Sequence, residues 1–527
     1  MNRAQAPAHV LLLAACAWAS ACGLNEKGVD PPSNTIAYPA SAVMDRTGHW
    51  LLVTNSNADL RFNDGSLMAF SLKRAADDRK IPRDQCPAVN YANPIKDPSD
   101  FCCRDPLDPN IMNCDERSYI GADGDTEHKG LGNVRIGSFA AGMVLQTTAD
   151  TTLYPILQPA CPTLGANGDQ CTLCAGFHST DDRVLIGVRG DTSLTFVDIQ
   201  SVDAATPPKL KCVGPVTMPD ENPPDFATCD ADHRIVTAMS GLASPSPDQN
   251  PPDIPLPDEP YALALDPGDG LLFIGHLTGN TARAFTGGFS LFDVAPRGDD
   301  PMEQATSHLR EPRFIAPFSS PFTPSGVGAV GVTALTTFAG TVYASSRYTP
   351  QVVGLGTTAQ CPIGGANIRE IAAFPNGTTF SSPLAGSETR GIQFVGNRAF
   401  ILQRTPPALI GFLNGAATDV LETCGSPTFL DKHNNGVGDR LFVSCFADGE
   451  IYVYDPAIPQ LVKTFPVGRG PSGLVFDDTP DDNGDPRNVA YVVGFGDNNV
   501  SVIDLKPGSE TEYHVIQRIG FPRVTPR

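Results

Sequence analysis

The sequence predicts an all-β fold, a seven-bladed β-propeller with disulfide-rich loop insertions. Three observations carry that expectation. A hexamer with bulky apolar residues at its second and third positions recurs seven times, a small-residue-rich strand precedes each copy, and another short strand follows it. Self-similarity in a fixed order of elements marks repeat architectures, where each unit buries its apolar faces only against its neighbours.

The hexamers are Trp50–Asn55, Val184–Arg189, Leu271–His276, Val342–Arg347, Ala399–Arg404, Leu441–Phe446 and Ala490–Phe495. A Gly or Asp lies just upstream of nearly every one, as the turn before a strand requires. The preceding strands end at Asp45, Gln146, Asp266, Phe338, Val395, Asp431 and Asp477, and their small residues suit strands that crowd a central axis. The following strands begin at Ser66, Ser193, Gly288, Pro350, Pro407, Glu450 and Asn499. The last two hexamer intervals, 42 and 49 residues, match one propeller blade of about 40–50 residues. Earlier intervals are longer and carry insertions, chiefly a cysteine-rich stretch over 75–130 between the first two blades, and a Pro-rich loop over 245–257. The final segment, Tyr513–Phe521, has strand composition but no blade of its own. It is expected to supply the outer strand of the first blade and so close the ring.

Composition agrees. The 527 residues include 50 Gly and 49 Pro, about a fifth of the chain against a usual ~12%, which suits many tight turns and opposes a helical bundle. The net charge of −21 repels phosphate backbones, so nucleic acid is not an expected partner.

The first 22 residues, MNRAQAPAHVLLLAACAWASAC, hold one early cation, an apolar core over Val10–Ala19 and small residues before a cysteine. That is a secretory pattern. The segment resembles a bacterial lipoprotein signal, in which the cysteine is lipidated and becomes the first mature residue. Cys22 is the expected lipidation site. Cys16 follows a Leu-Ala-Ala more like the family's usual motif but leaves an apolar core of only about six residues. An ordinary cleaved signal is the other reading. The implied organisation is a signal peptide (1–22), a linker (23–34) and the propeller (35–527). The implied place is the outer membrane, with the lipid as membrane partner.

Export permits disulfides, and the twelve cysteines other than Cys16 and Cys22 are expected to form them. Cys86, Cys102, Cys103 and Cys114 sit in the large insert, Cys212 and Cys229 bracket one loop, and Cys424 and Cys445 flank another; spacing leaves their connectivity open.

The stretches VTN, YVVGFGDNNVSVIDL and GRGPSGLVFD resemble the YVTN-type propeller family. The resemblance is good in the first and last blades and specifies architecture. Proteins of this kind include binding proteins and, on the same fold, lactonases and dehydrogenases, so fold does not fix function.

Site chemistry was sought at equivalent positions. The hexamers' last residues read Asn55, Arg189, His276, Arg347, Arg404, Phe446 and Phe495, so three arginines and a histidine occupy four successive blades. Such an arc suits an anionic ligand, because guanidinium forks pair with carboxylate or phosphate. The competing reading ties each arginine to a nearby acid, with Asp191 and Asp198 close in sequence to Arg189. Two turns, Asp431 to Gly436 and Asp481 to Asp485, alternate oxygen-bearing residues beside a glycine, as calcium loops do. Asp431, Asn435, Asp481, Asn483 and Asp485 are the candidate metal ligands, although neither turn supplies a twelfth-position glutamate. No catalytic motif stands out. The expected function is a non-catalytic binding or scaffolding module for an anionic ligand or a protein partner. The alternative is a lactonase- or dehydrogenase-type propeller enzyme, with or without a metal.

Overall fold

The computed structural model describes residues 29–32, 34–80, 102–105, 107–120, 132–147, 182–200, 207–212, 227–229, 233–236, 256–266, 271–278, 287–294, 312–319, 322, 331–360, 370–384, 386–481 and 484–520. Cys16, Cys22, Cys86 and Asn483 lie outside the described residues. The strands form seven antiparallel sheets, taken in chain order around the ring. Each is built on four antiparallel strands, an inner one, the hexamer strand, a third strand and an outer strand, and in every blade but the first these four follow one another in the chain.

The inner strands are Pro39–Met44, Ala140–Thr147, Pro260–Asp266, Val332–Phe338, Ser387–Val395, Pro427–Asn434 and Pro471–Asp477. The hexamer strands behind them are buried throughout in blades one, three and seven. A blade is sandwiched between two others, so both of its faces must be apolar. That is why the hexamers read as continuous apolar runs and not as an alternation. Leu51, Val53 and Phe70 of blade one pack with Tyr491, Val500 and Val502 of blade seven, while Trp50, Leu52 and Leu67 pack with Val184, Ile186 and Val188 of blade two.

Ring closure differs from the expectation. The last strand, His514–Ile519, pairs with Asn499–Asp504 and is the outer strand of blade seven, not of blade one. Counting three strands to a blade left it over; every blade in fact takes a fourth. Blade one obtains its outer strand from Asn133–Ile136, after the cysteine-rich insert.

That insert then crosses to the far end of the chain. Its hairpin, Cys102–Arg104 with Met112–Cys114, lies against the outer edge of blade seven, where Met112–Cys114 runs parallel to Gln517–Ile519. Cys102 and Cys114 are disulfide-bonded across this hairpin. Arg518 reaches Asp105 of the insert at 3.0 Å. A second disulfide, Cys212–Cys229, joins the outer strand of blade two to a short strand on the edge of blade one; a third joins Cys424 and Cys445.

Candidate functional site

Each inner strand begins with the same local distortion. The pairing slips by one residue between Pro39 and Ser41, and again between Pro260 and Ala262, Val332 and Ala334, Thr389 and Gly391, Pro427 and Phe429, and Pro471 and Gly473. Blade two slips between Ala140 and Met143. A bulge inserts an unpaired residue and re-aims its side chain. The bulged residues are Ala40, Ala141, Tyr261, Thr333, Arg390, Thr428 and Ser472, and all seven line one cavity of about 640 Å³ at the end of the ring where the inner strands begin.

In three blades the bulged hydroxyl stitches neighbouring blades. Thr333 donates to the carbonyl of Thr389 in blade five, Thr428 to that of Pro471 in blade seven, and Ser472 to that of Pro39 in blade one. Blade five breaks the pattern. Its bulged residue is Arg390, whose guanidinium meets the Glu388 carboxylate at 3.3 Å. Sequence reasoning missed Arg390. The signal was available: in six blades the residue after the bulge is small (Ser41, Gly142, Ala262, Ala334, Gly391 and Gly473, with Phe429 the exception), and aligning on it sets Arg390 opposite Thr333 and Ser472.

The expected arginine column is partly out of register. Asn55 pairs with Pro39 and His276 with Pro260, so their counterparts elsewhere are Val188, Ser346, Gln403, Cys445 and Gly494. The column containing Arg189 continues instead through Ser56 and Leu277, whose N–H groups donate to the carbonyls of Tyr38 and Glu259 as Arg189 N–H does to Phe139. One residue of offset on a strand turns a side chain to the other face. Asn55 therefore points into blade one, accepting from Ala37 N–H at 3.1 Å and donating to Ser66 Oγ at 2.9 Å. His276 is wholly buried, 2.8 Å from Ser290 Oγ and 3.3 Å from the Asp258 carbonyl, and burial lowers its pKa to about 4. Neither belongs to the arc.

Arg189 and Arg404 line the mouth and Arg347 joins them only through Glu388, each facing a glutamate that sequence proximity had not suggested. Arg189 meets Glu259 of the next blade at 2.6 Å, whereas Asp191 and Asp198 are taken by Arg234 and Arg183. Arg347 and Arg404 lie 3.7 and 3.6 Å from Glu388, the carboxylate that Arg390 also faces. Both glutamates hold positive φ, +54° and +63°, and each lies two residues before the bulged residue of its blade. Four guanidinium groups thus share two carboxylates, a local excess of two positive charges in a strongly acidic chain. Among the described residues, the buried Nε atoms of Arg189 and Arg390 have no hydrogen-bond partner.

Hydroxyls and aromatic rings make up much of the remaining wall. Arg189, Arg390 and Arg404 share it with Phe139, Tyr261, Phe429, Phe446 and Phe495. Tyr38 and Phe446 lie 5.5 and 5.9 Å from Phe495, ring centre to ring centre.

Among the described residues, the candidate calcium ligands each hold a local partner. Asp431 lies on the inner strand of blade six, where its Oδ1 accepts from Gln393 Nε2 at 3.0 Å, and desolvation raises its pKa to about 6. Asn435 Oδ1 accepts from Val437 N–H within the following turn. Asp481 and Asp485 close their own loop, with Asp485 N–H on Asp481 Oδ1 and Asp481 N–H on the Asp485 carbonyl. Among the described residues, His, Cys, Asp and Glu ligand atoms gather in threes only at Asp78–Cys102–Cys114 and Cys424–Cys445–Asp448, and those cysteine pairs are disulfides.

No protein-family model matches the chain, and no curated protein does. Solved structures with a similar course share the fold at low identity. Hydrazine synthase of Kuenenia stuttgartiensis is 10% identical over 93% of this chain and 99% of its own, with a TM-score of 0.40. A putative 6-phosphogluconolactonase of Bacteroides uniformis is 12% identical over 65% and 83%, at 0.38. The computationally designed Ika8 protein is 10% identical over 92% and 91%, at 0.38. These neighbours are named as enzymes and as a designed scaffold alike, so their names select no activity.

Proposed function

We propose that this protein is an exported, lipid-anchored propeller of YVTN type that binds a small anionic ligand at the arginine-bearing mouth of its axial channel. Arg390 carries the reading. At its position three other blades spend a hydroxyl on joining neighbours, while blade five places a cation on the cavity wall beside Arg404. A cavity of about 640 Å³ is in the range that encloses small molecules. Guanidinium groups in such a setting favour carboxylate and phosphate through charge-assisted hydrogen bonds. The binding reading is preferred to catalysis because both acids at the mouth, Glu259 and Glu388, are already engaged by arginines.

The test is titration calorimetry of the purified chain with succinate and with inorganic phosphate. Replacing Arg390 and Arg404 together by alanine should weaken binding by at least tenfold, because hydrogen bonds to charged groups contribute about 1.5–3 kcal/mol each. Equal affinity in the double variant refutes the site. Anchoring is tested separately: labelled palmitate should enter the wild-type chain in a bacterial host and not the Cys22→Ser variant.

A further inference from the structure

The channel does not end at the arginine mouth. Met143, Leu263 and Leu335, on the inner strands of blades two, three and four, line the mouth cavity and also a second cavity of about 450 Å³. The second cavity continues along the same strands past Val144 and Leu265, meets Val43 on the inner strand of blade one, and has Thr147 and Thr337 as its hydroxyl-bearing residues. These three side chains, shared by both compartments, form the waist between a charged, hydroxyl-bearing compartment and a more apolar one. One side holds Arg189, Arg390 and Arg404, and the other is almost wholly aliphatic.

That polarity gradient restricts the ligand. A small, fully hydrated anion such as phosphate would use the guanidinium groups and leave the waist and far compartment without a role. An uncharged hydrocarbon would leave the excess positive charge beside Glu388 unanswered. We infer that the ligand is an amphiphilic anion, a carboxylate or phosphate head on Arg390 and Arg404 with an alkyl tail passing the Met143–Leu263–Leu335 waist. The inference rests on the anion-binding reading above and names the class of molecule it serves. Burial of each methylene in the far compartment contributes about 0.8 kcal/mol, which converts to about fourfold in affinity.

The deciding experiment titrates the full chain with n-alkyl carboxylates from butanoate to dodecanoate, each below its micelle-forming concentration, alongside n-decanol, decyl phosphate and inorganic phosphate. Affinity should climb about fourfold per methylene from butanoate to decanoate. Leu263→Phe, which narrows the waist, should flatten the series, removing most of the gain per methylene; Leu335→Phe is the second variant should the first fail to fold. Arg390→Ala should cost decanoate at least tenfold. Comparing decanoate with decyl phosphate identifies the preferred head. If butanoate and phosphate bind but chain length has no effect, the tail is refuted and the anion site stands. If decanol matches decanoate, or no anion binds, the anion site fails and this inference with it.

Discussion

The hydroxyl of Ser472 donates to the carbonyl of Pro39 at 3.3 Å, joining the last blade of the ring to the first. Thr333 and Thr428 make the equivalent bond between blades four and five and between blades six and seven. Ser472→Ala should lower stability by about 1 kcal/mol, read as a shift in the denaturant midpoint without a change in slope. A loss within error would show that the three hydroxyls do not hold blades together.

The converse substitution separates binding from stability. Arg390→Thr places in blade five the residue that blades four and six already use. It should raise stability by about 0.5–1 kcal/mol and abolish anion binding, the usual exchange when a functional residue replaces a structural one. A variant that is both less stable and binding-competent would assign Arg390 a structural role.

Glu388 now answers three arginines at once. Glu388→Gln removes its charge and keeps its shape, so anion affinity should rise by about three- to tenfold at low salt, and the gain should shrink as salt screens the partly exposed groups. Weaker anion binding would mean that Glu388 orients the arginines and does not compete with the ligand for them.

Two buried groups oppose one another in acid. His276 titrates near 4 in the fold against an ordinary 6.5, so the unfolded chain binds the extra proton and stability falls as pH drops from about 6.5 to 4. Asp431 titrates near 6 against an ordinary 3.8, so the fold binds the extra proton there and stability rises over much the same range. The two nearly cancel. Asp431→Asn keeps an acceptor for Gln393 and should add about 1–3 kcal/mol at pH 7. It should also uncover the acid loss due to His276, seen as a falling midpoint between pH 6.5 and 4. A flat profile in the variant would contradict one of the two assignments.

The Cys102–Cys114 disulfide holds the insert's hairpin on the edge of blade seven. With the cysteines 12 positions apart, Cys102→Ser should cost about 3 kcal/mol and raise amide exchange at 514–519, while exchange in the inner strands stays slow.

Much of the architecture was legible because the hexamer strands and the strands that follow them are the most buried, and burial writes apolar residues into fixed places. The outer strands were not. Ala416–Glu422 and Gln460–Pro466 are exposed along most of their length, so no apolar rhythm marks them, and without them the final strand was assigned to the wrong blade. The arginines at 189, 347 and 404 were found because they end strands that are easy to see. Arg390 was not, since a bulge is a backbone event that no single residue type announces. Asn55 and His276 entered the column through a one-residue misalignment, which apolar runs cannot correct because they lack a two-residue period.

The clasp between the cysteine-rich insert and blade seven also sets an order of events. Cys114 and Gln517 touch across 403 residues of sequence, so the hairpin must wait for nearly the whole ring before its docking edge exists. Loop closure over such a span costs entropy before any contact repays it, and contacts this distant slow folding. In the interval the hairpin's outward strand is an unpaired edge, the kind that recruits other chains. A disulfide that makes the hairpin rigid early would keep it short and in register until its partner arrives, so an oxidant should speed assembly most when supplied before the final blade has formed.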